Sequence, residues 1–237
     1  MMDEYFDAMN IDSAKSVLDL DCGTGVAARA IARRNGFTGR IVGIDVSPYL
    51  TAAAKRLAER EGVASAIEFR TGDSRTLSLP DTSLDAVVAH TLVSHVEDPL
   101  TVLTEIVRIL RPGGTVGIFD GDYASLTFGS DDPAKGKAAD ETIIDAIVTN
   151  PRVMRQMPQL LREAGLELDA SFSHVIADIG KADFWGPALQ SFLRLLPKAG
   201  AMTETDAQAW VDGMFKRSDQ GVFFGASNYY SYVAKRR

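Results

Sequence analysis

Asp19 and Asp21 stand just ahead of a glycine turn, Gly23-Thr-Gly25, and a third acid, Asp45, follows the turn by about 20 residues. Carboxylates beside free backbone N–H groups can hold the polar and cationic parts of a ligand. Four further residues could take up a proton: His90 and His95 make one pair along the chain, Asp120 and Asp122 another. Imidazole and carboxylate are common general bases, so each is a candidate catalytic residue. Asp73, in Gly72-Asp73-Ser74, could accept a hydrogen bond from an amino group, and Gly72 lets the backbone approach a flat ring. The three histidines (His90, His95, His174) and the single cysteine, Cys22, have no zinc-type spacing, so no metal is expected.

The elements around the turn follow from its neighbours. Val17, Leu18 and Leu20 read as a short buried strand. From Val26 to Arg34 apolar residues recur at helical spacing, and Asn35-Gly36 is a helix stop. Strand, glycine turn and helix aim backbone N–H groups at a ligand. Gly23-x-Gly25-x-x-Ala28 with Asp45 satisfies the loose dinucleotide fingerprint, which leaves an NAD-dependent oxidoreductase of Rossmann type as one alternative. Asp19 and Asp21 argue against it, because a pyrophosphate would meet like charge at short range in a partly dry site. A ligand with cationic groups and no phosphate fits better. S-adenosylmethionine carries a sulfonium and an α-ammonium, and its carboxylate can take the turn amides.

The run Val17-Leu-Asp-Leu-Asp-Cys-Gly-Thr-Gly25 resembles the first motif of the class I S-adenosylmethionine-dependent methyltransferases, acidic-x-Gly-x-Gly-x-Gly. Asp21 stands where that pattern has its first glycine. Gly39–Asp45, Gly72-Asp73-Ser74, His95-Val-Glu-Asp-Pro99 and Arg111-Pro-Gly-Gly114 resemble later segments of the same family, so the likeness covers about residues 14–120. The core motifs are also similar to those of the type 11 and quinone-biosynthesis branches. The resemblance implies that Asp19, Gly23 and Gly25 hold the methionine portion of S-adenosylmethionine, Asp45 the ribose and Asp73 the adenine. Cys22, Thr24, Val46, Gly72, Ser74 and His90 complete the implied cofactor site, with S-adenosylhomocysteine as product. His95 would line the methionine end. A side chain at position 21 hinders close backbone approach, which keeps a non-catalytic cofactor-binding protein as a second alternative.

Further strands are expected at 39–45, 67–71, 86–90, 115–120, 166–176 and 223–234. Ser47-Pro48 opens a helix over 49–61 with Leu50, Ala53, Ala54 and Leu57 inward. Leu100, Leu103, Ile106, Val107 and Leu110 form one apolar stripe of another helix. The spacing predicts more helices near 140–148, over 152–164 and 184–196, and over 204–216 with Thr203 as N-cap. Five strands alternating with helices imply an α/β, doubly wound parallel sheet. The resemblance adds a Rossmann-like seven-stranded sheet whose last strand is antiparallel, helices on both faces and an inserted helical lid. A single domain over 1–237 is expected, with a cofactor core at 14–120 and substrate-side insertions and lid helices at 121–222. His90 and His95 would follow the fourth strand, Asp120 and Asp122 the fifth, at the carboxyl ends where open α/β sheets bind ligands.

Composition narrows the partners. A net charge of −7 lacks the basic footprint that a nucleic-acid surface needs. One cysteine gives no disulfide framework, and no apolar run would span a bilayer, so the expected location is cytoplasmic, without a membrane partner. Aromatics of the second half (Tyr123, Phe128, Phe184, Trp185, Phe192, Trp210, Phe215) suit an apolar lid, most of them as core. The reading is a methyltransferase for a small, aromatic or apolar acceptor at O, N or C by in-line displacement. The N-terminal segment is short for the family, and a homodimer could supply the missing cover.

Overall fold

The computed structural model describes residues 1–237, in seven strands and eight α-helices. Four strands are short: β1 (Ser16–Leu20), β2 (Arg40–Asp45), β3 (Ile67–Thr71) and β4 (Leu84–His90). Three are long: β5 (Leu110–Phe128), β6 (Leu166–Gly180) and β7 (Phe223–Arg236). They form one sheet in the order β3-β2-β1-β4-β5-β7-β6. β1 pairs in parallel with β2 and β4, β2 with β3, and β4 with β5. The last strand, β7, is antiparallel, which completes the expected class I architecture. The chain's strand order reverses between β1 and β4, and that switch point opens a ligand crevice beyond the strand ends.

Local signals set most helix starts. Ser47 Oγ accepts the Leu50 N–H at the start of α3 (Pro48–Arg60). Asp98 accepts from Leu100 and Thr101 at the start of α4 (Pro99–Ile109), and Asp132 does the same for α5 (Pro133–Ile147). Thr203 caps α8 (Glu204–Asp219). Short polar caps followed by proline or an acid satisfy N–H groups that have no partner inside the helix. The buried faces are turned slightly from the expected ones. α3 buries Thr51, Ala54 and Ala58, with Leu50, Ala53 and Leu57 at its margin. α4 buries Val102, Leu103, Ile106 and Ile109, with Leu100 and Val107 at its edge. Small residues on the inner face of α3 let it lie close, and its leucines flank the contact.

The fifth strand departs most from expectation. It continues through Gly121–Ser125, residues with turn propensity, to Phe128. Ladder pairing overrides that propensity. Asp120 and Asp122 therefore lie inside the strand rather than past its end, and both are buried.

The chain divides into two compact units. The first comprises Met1–Asp120, Met154–Ser173 and Tyr230–Arg237. It holds α1 (Met2–Ala8), α2 (Val26–Ala32), α3, α4 and nearly all of α6 (Val153–Glu163). Its core includes Leu18, Leu20, Ile31, Ile41, Val87, Leu103 and Ile106. α1 is part of that core: Tyr5 and Phe6 are completely buried. A Cβ at Gly117 of β5 would stand 2.3 Å from Met9 Sδ and 2.9 Å from Tyr5 Cδ2, so only glycine admits this packing.

The second unit comprises Gly121–Val153 and His174–Tyr229 and contains α5, α7 (Gly186–Lys198) and α8. Phe128 sits edge-on to Trp185 (5.6 Å) and Trp210 (5.3 Å), with Phe192 and Phe223 beside it. These edge-to-face pairs make the second-half aromatics a core, as most were expected to be. Phe184 is 47% exposed.

Candidate functional site

The glycine turn is built from main-chain bonds and two carboxylates. The Cys22 N–H donates to the Ile44 carbonyl (2.9 Å), and the Gly25 N–H closes the turn on the Cys22 carbonyl (2.7 Å). Gly25 adopts φ +77°, and a Cβ there would meet the Phe69 ring at 2.7 Å, so the fingerprint glycine serves packing as well as the turn. No side chain of the N-cap holds α2; Asp19, from β1, does it instead, its Oδ2 accepting the Ala28 N–H at 2.9 Å. Asp45 ties the turn to β2: Oδ2 accepts the Gly23 N–H and Oδ1 the Ser47 N–H, both at 2.8 Å.

The turn gathers three carboxyl groups at short range. Asp19 is 1% exposed, and burial, with Asp21 and Asp45 nearby, pushes its carboxyl up to about 7 despite the Ala28 bond. Asp21, at φ +58°, is raised to about 6 by burial and by Asp45. Burial and the three acids push the Cys22 thiol far up, so it stays protonated. Arg29 offsets Asp19 in part, but its guanidinium is already engaged by Glu61 (2.9 Å) and the Thr24 carbonyl. Such a turn favours a cation.

Beside it opens a cavity of about 370 Å³, lined by Asp21, Val46, Asp73, Ser74, Arg75 and Leu92, and by His95, Val96 and Glu97. The volume lies in the range of small-ligand sites. Val46 is 68% exposed there, an apolar side chain with no core to join. Asp73 meets Arg75 through two side-chain bonds (3.0 and 2.7 Å) and the Arg75 N–H (2.9 Å), which hold it down to about 2.

Residues 18–118, which contain the turn and the whole cavity lining, match the methyltransferase domain family. A 37.1 kDa protein of transposon TN4556 from Streptomyces fradiae is 32% identical over 231 residues, 97% of this chain and 65% of that protein. Sterol 24-C-methyltransferase of Aspergillus fumigatus is 39% identical over 113 residues, 47% of this chain and 29% of that enzyme. Over residues 18–118 the chain is thus similar to a methyltransferase domain. A solved geranyl diphosphate methyltransferase, in complex with GPP and sinefungin, shares the fold with a TM-score of 0.62 at 16% identity, covering 100% of this chain and 77% of that one. The chain thus spans less than two thirds of the length of either curated relative.

Around this cavity the structure separates the four candidate bases. His95 lines the cavity. His90 ends β4 and receives Tyr5: Nδ1 lies 3.0 Å from the Tyr5 hydroxyl, and the ring stacks on Phe119 at 4.5 Å. Burial pushes His90 down to about 4, so it is neutral at physiological pH. Asp120 accepts both the Ser94 N–H and the Ser94 hydroxyl at 3.0 Å. It thereby anchors the Thr91–Asp98 loop, which carries Leu92, His95, Val96 and Glu97. Asp122, the first acid of the second unit, is 2% exposed and lies within β5.

Of the sequence-derived cofactor residues, Val46, Asp73, Ser74 and His95 reach the cavity, and Asp21 joins them. Asp19, Gly23, Gly25 and Asp45 form the turn beneath Asp21. Tyr5, Ser94, Arg75, Leu92 and Glu97 escaped the sequence reading. Arg75 had a local signal, since an Asp–x–Arg run permits a short ion pair; Tyr5 and Ser94 had none, because their partners are 85 and 26 residues away.

Proposed function

We propose that this chain transfers a methyl group from S-adenosylmethionine to a small-molecule acceptor. The single observation that supports it most is the carboxylate-rich glycine turn against a half-open cavity of ligand size. A pyrophosphate would face three acids there, whereas a sulfonium and an ammonium are attracted. When bound, the sulfonium supplies an electrophilic methyl group. The chain's part is to bind and align, which supplies much of the rate in an in-line displacement.

In this reading Asp45 directs its remaining lone pairs at the ribose hydroxyls, and the Thr24 N–H, which the turn's own bonds do not use, takes the methionine carboxylate. Val46 covers one face of the adenine, and Asp73, steadied by Arg75, accepts its amino group. His95 is the candidate base that lies on the cavity wall, so it would take the acceptor's proton. His90, held neutral and bonded to Tyr5, would orient rather than titrate. The acceptor's attacking atom stays open among O, N and C. The sterol and geranyl diphosphate acceptors of the relatives support an apolar one.

Calorimetry with S-adenosylhomocysteine and NAD tests the cofactor. Binding of the first alone is expected; binding of NAD alone would overturn the reading. Val46→Trp places bulk in the cavity without touching the turn's hydrogen bonds, and it should weaken S-adenosylhomocysteine at least ten-fold while the melting temperature holds.

A further inference from the structure

Asp21 has no structural reason to be an aspartate. Its backbone sits at φ +58°, a conformation suited to glycine and tolerated by Asp or Asn. Its two acidic neighbours are both employed: Asp19 caps α2, and Asp45 binds the Gly23 and Ser47 amides. Asp21 alone of the three lacks a hydrogen-bond or salt-bridge donor in the chain. It is also half-buried, it faces the like charge of Asp45, and it lines the cavity with Val46, Leu92 and His95. A carboxylate kept in a strained, repulsive and unpartnered position is a functional candidate, and its missing partner is a cation.

We propose that Asp21 makes the site read the charge of its cofactor, favouring the sulfonium donor over the neutral thioether product. The inference rests on the methyl-transfer reading above. In that reaction the S–CH3 bond breaks with its electron pair going to sulfur, the acceptor–CH3 bond forms, and the acceptor's proton leaves. One positive charge is thereby removed from the cofactor, while its adenosine and amino-acid groups are unchanged. Contacts to those groups hold donor and product alike, so they cannot tell the two apart. A carboxylate close to the sulfur can, because the sulfonium adds an attraction there that the thioether lacks, while the α-ammonium is common to both. The consequence is product release that does not require the rest of the site to be weak.

The test is calorimetric. Dissociation constants for S-adenosylmethionine, S-adenosylhomocysteine and sinefungin, which carries an ammonium group where the sulfonium stands, are measured on the full chain, Asp21→Asn and Asp21→Gly. Asn and Gly both accept φ +58°, so the turn is preserved. The native chain should prefer S-adenosylmethionine over S-adenosylhomocysteine by about ten-fold or more, the order that one unit charge contributes in a half-exposed site. Both variants should lose about ten-fold of that preference through weaker S-adenosylmethionine and sinefungin, with S-adenosylhomocysteine unchanged or tighter. An equal preference in native and variant chains overturns the inference while the methyl-transfer reading survives. Sinefungin that follows S-adenosylhomocysteine across the variants also overturns it, since charge would not be what is read. A native chain that binds none of the three overturns both.

Discussion

At the scale of single residues, the turn's acids link cofactor chemistry to stability. An unfolded aspartate titrates near 3.9, whereas Asp21 is raised to about 6 in the fold by burial and by Asp45. A group whose folded value is raised contributes stability below its unfolded value, and that contribution is lost as pH rises through the folded one. Asp21 therefore costs the ligand-free protein stability between about pH 4 and pH 6, and Asp19 extends the same trend to about 7. His90 acts oppositely, because its depressed value penalises acid conditions between its unfolded range and about 4. Comparing variant with native chain isolates Asp21. Asp21→Asn should gain on the native protein as pH is raised from 4.5 to 7.5, by roughly 1 kcal/mol, or about 2–4 °C in melting temperature, after allowance for solvent screening. Melts that shift in parallel at both pH values would mean that Asp21 is unperturbed.

At the scale of elements, two tethers hold the walls of the site. α1 reaches the end of β4 through Tyr5, whose hydroxyl is buried and has His90 Nδ1 as its hydrogen-bond partner. Burial and the Asp19 charge keep the phenol protonated, and with the His90 proton on Nε2 the hydroxyl is the donor to Nδ1. Tyr5→Phe should cost about 1 kcal/mol and release that tautomer, seen as changed ¹⁵N shifts of His90. Unchanged shifts would place the tautomer's control elsewhere. The second tether is Asp120 on Ser94. Asp120→Ala leaves a buried hydroxyl and N–H without their acceptor, a loss of about 2–3 kcal/mol, and frees the loop bearing Leu92 and His95. A lower urea midpoint should accompany weaker S-adenosylhomocysteine binding; stability lost with affinity intact would detach Asp120 from the site. These tethers mark where sequence reading stopped. The β1 turn, Asp45 at the end of β2, Ser47-Pro48 and Asp73 stand out in the sequence because each signal is carried by neighbouring residues. The inner faces of α3 and α4 came out turned because periodicity fixes a stripe but not which edge meets the sheet. Tyr5 on His90 and Ser94 on Asp120 join distant segments, and no local pattern announces them.

At the scale of the whole molecule, the two units differ in what they hold. Every residue lining the cavity lies in the first, and both tryptophans, Trp185 and Trp210, lie in the second. The boundary between units falls within β5, β6 and β7, so three strands pass from one into the other without a linker. The sequence suggested one domain over 1–237, whereas the contacts group into two units that share the length of these three strands. Cooperative unfolding is the consequence. Tryptophan fluorescence, which reports the second unit, should melt together with far-ultraviolet circular dichroism, which reports the whole sheet. S-adenosylhomocysteine at a hundred times its dissociation constant stabilises its own site by about 2.7 kcal/mol. In a cooperative chain of this size that raises both transitions by roughly 5–10 °C, although no tryptophan lines the cavity. If the units melt separately, the ligand moves only part of the dichroism change and leaves the fluorescence midpoint where it was.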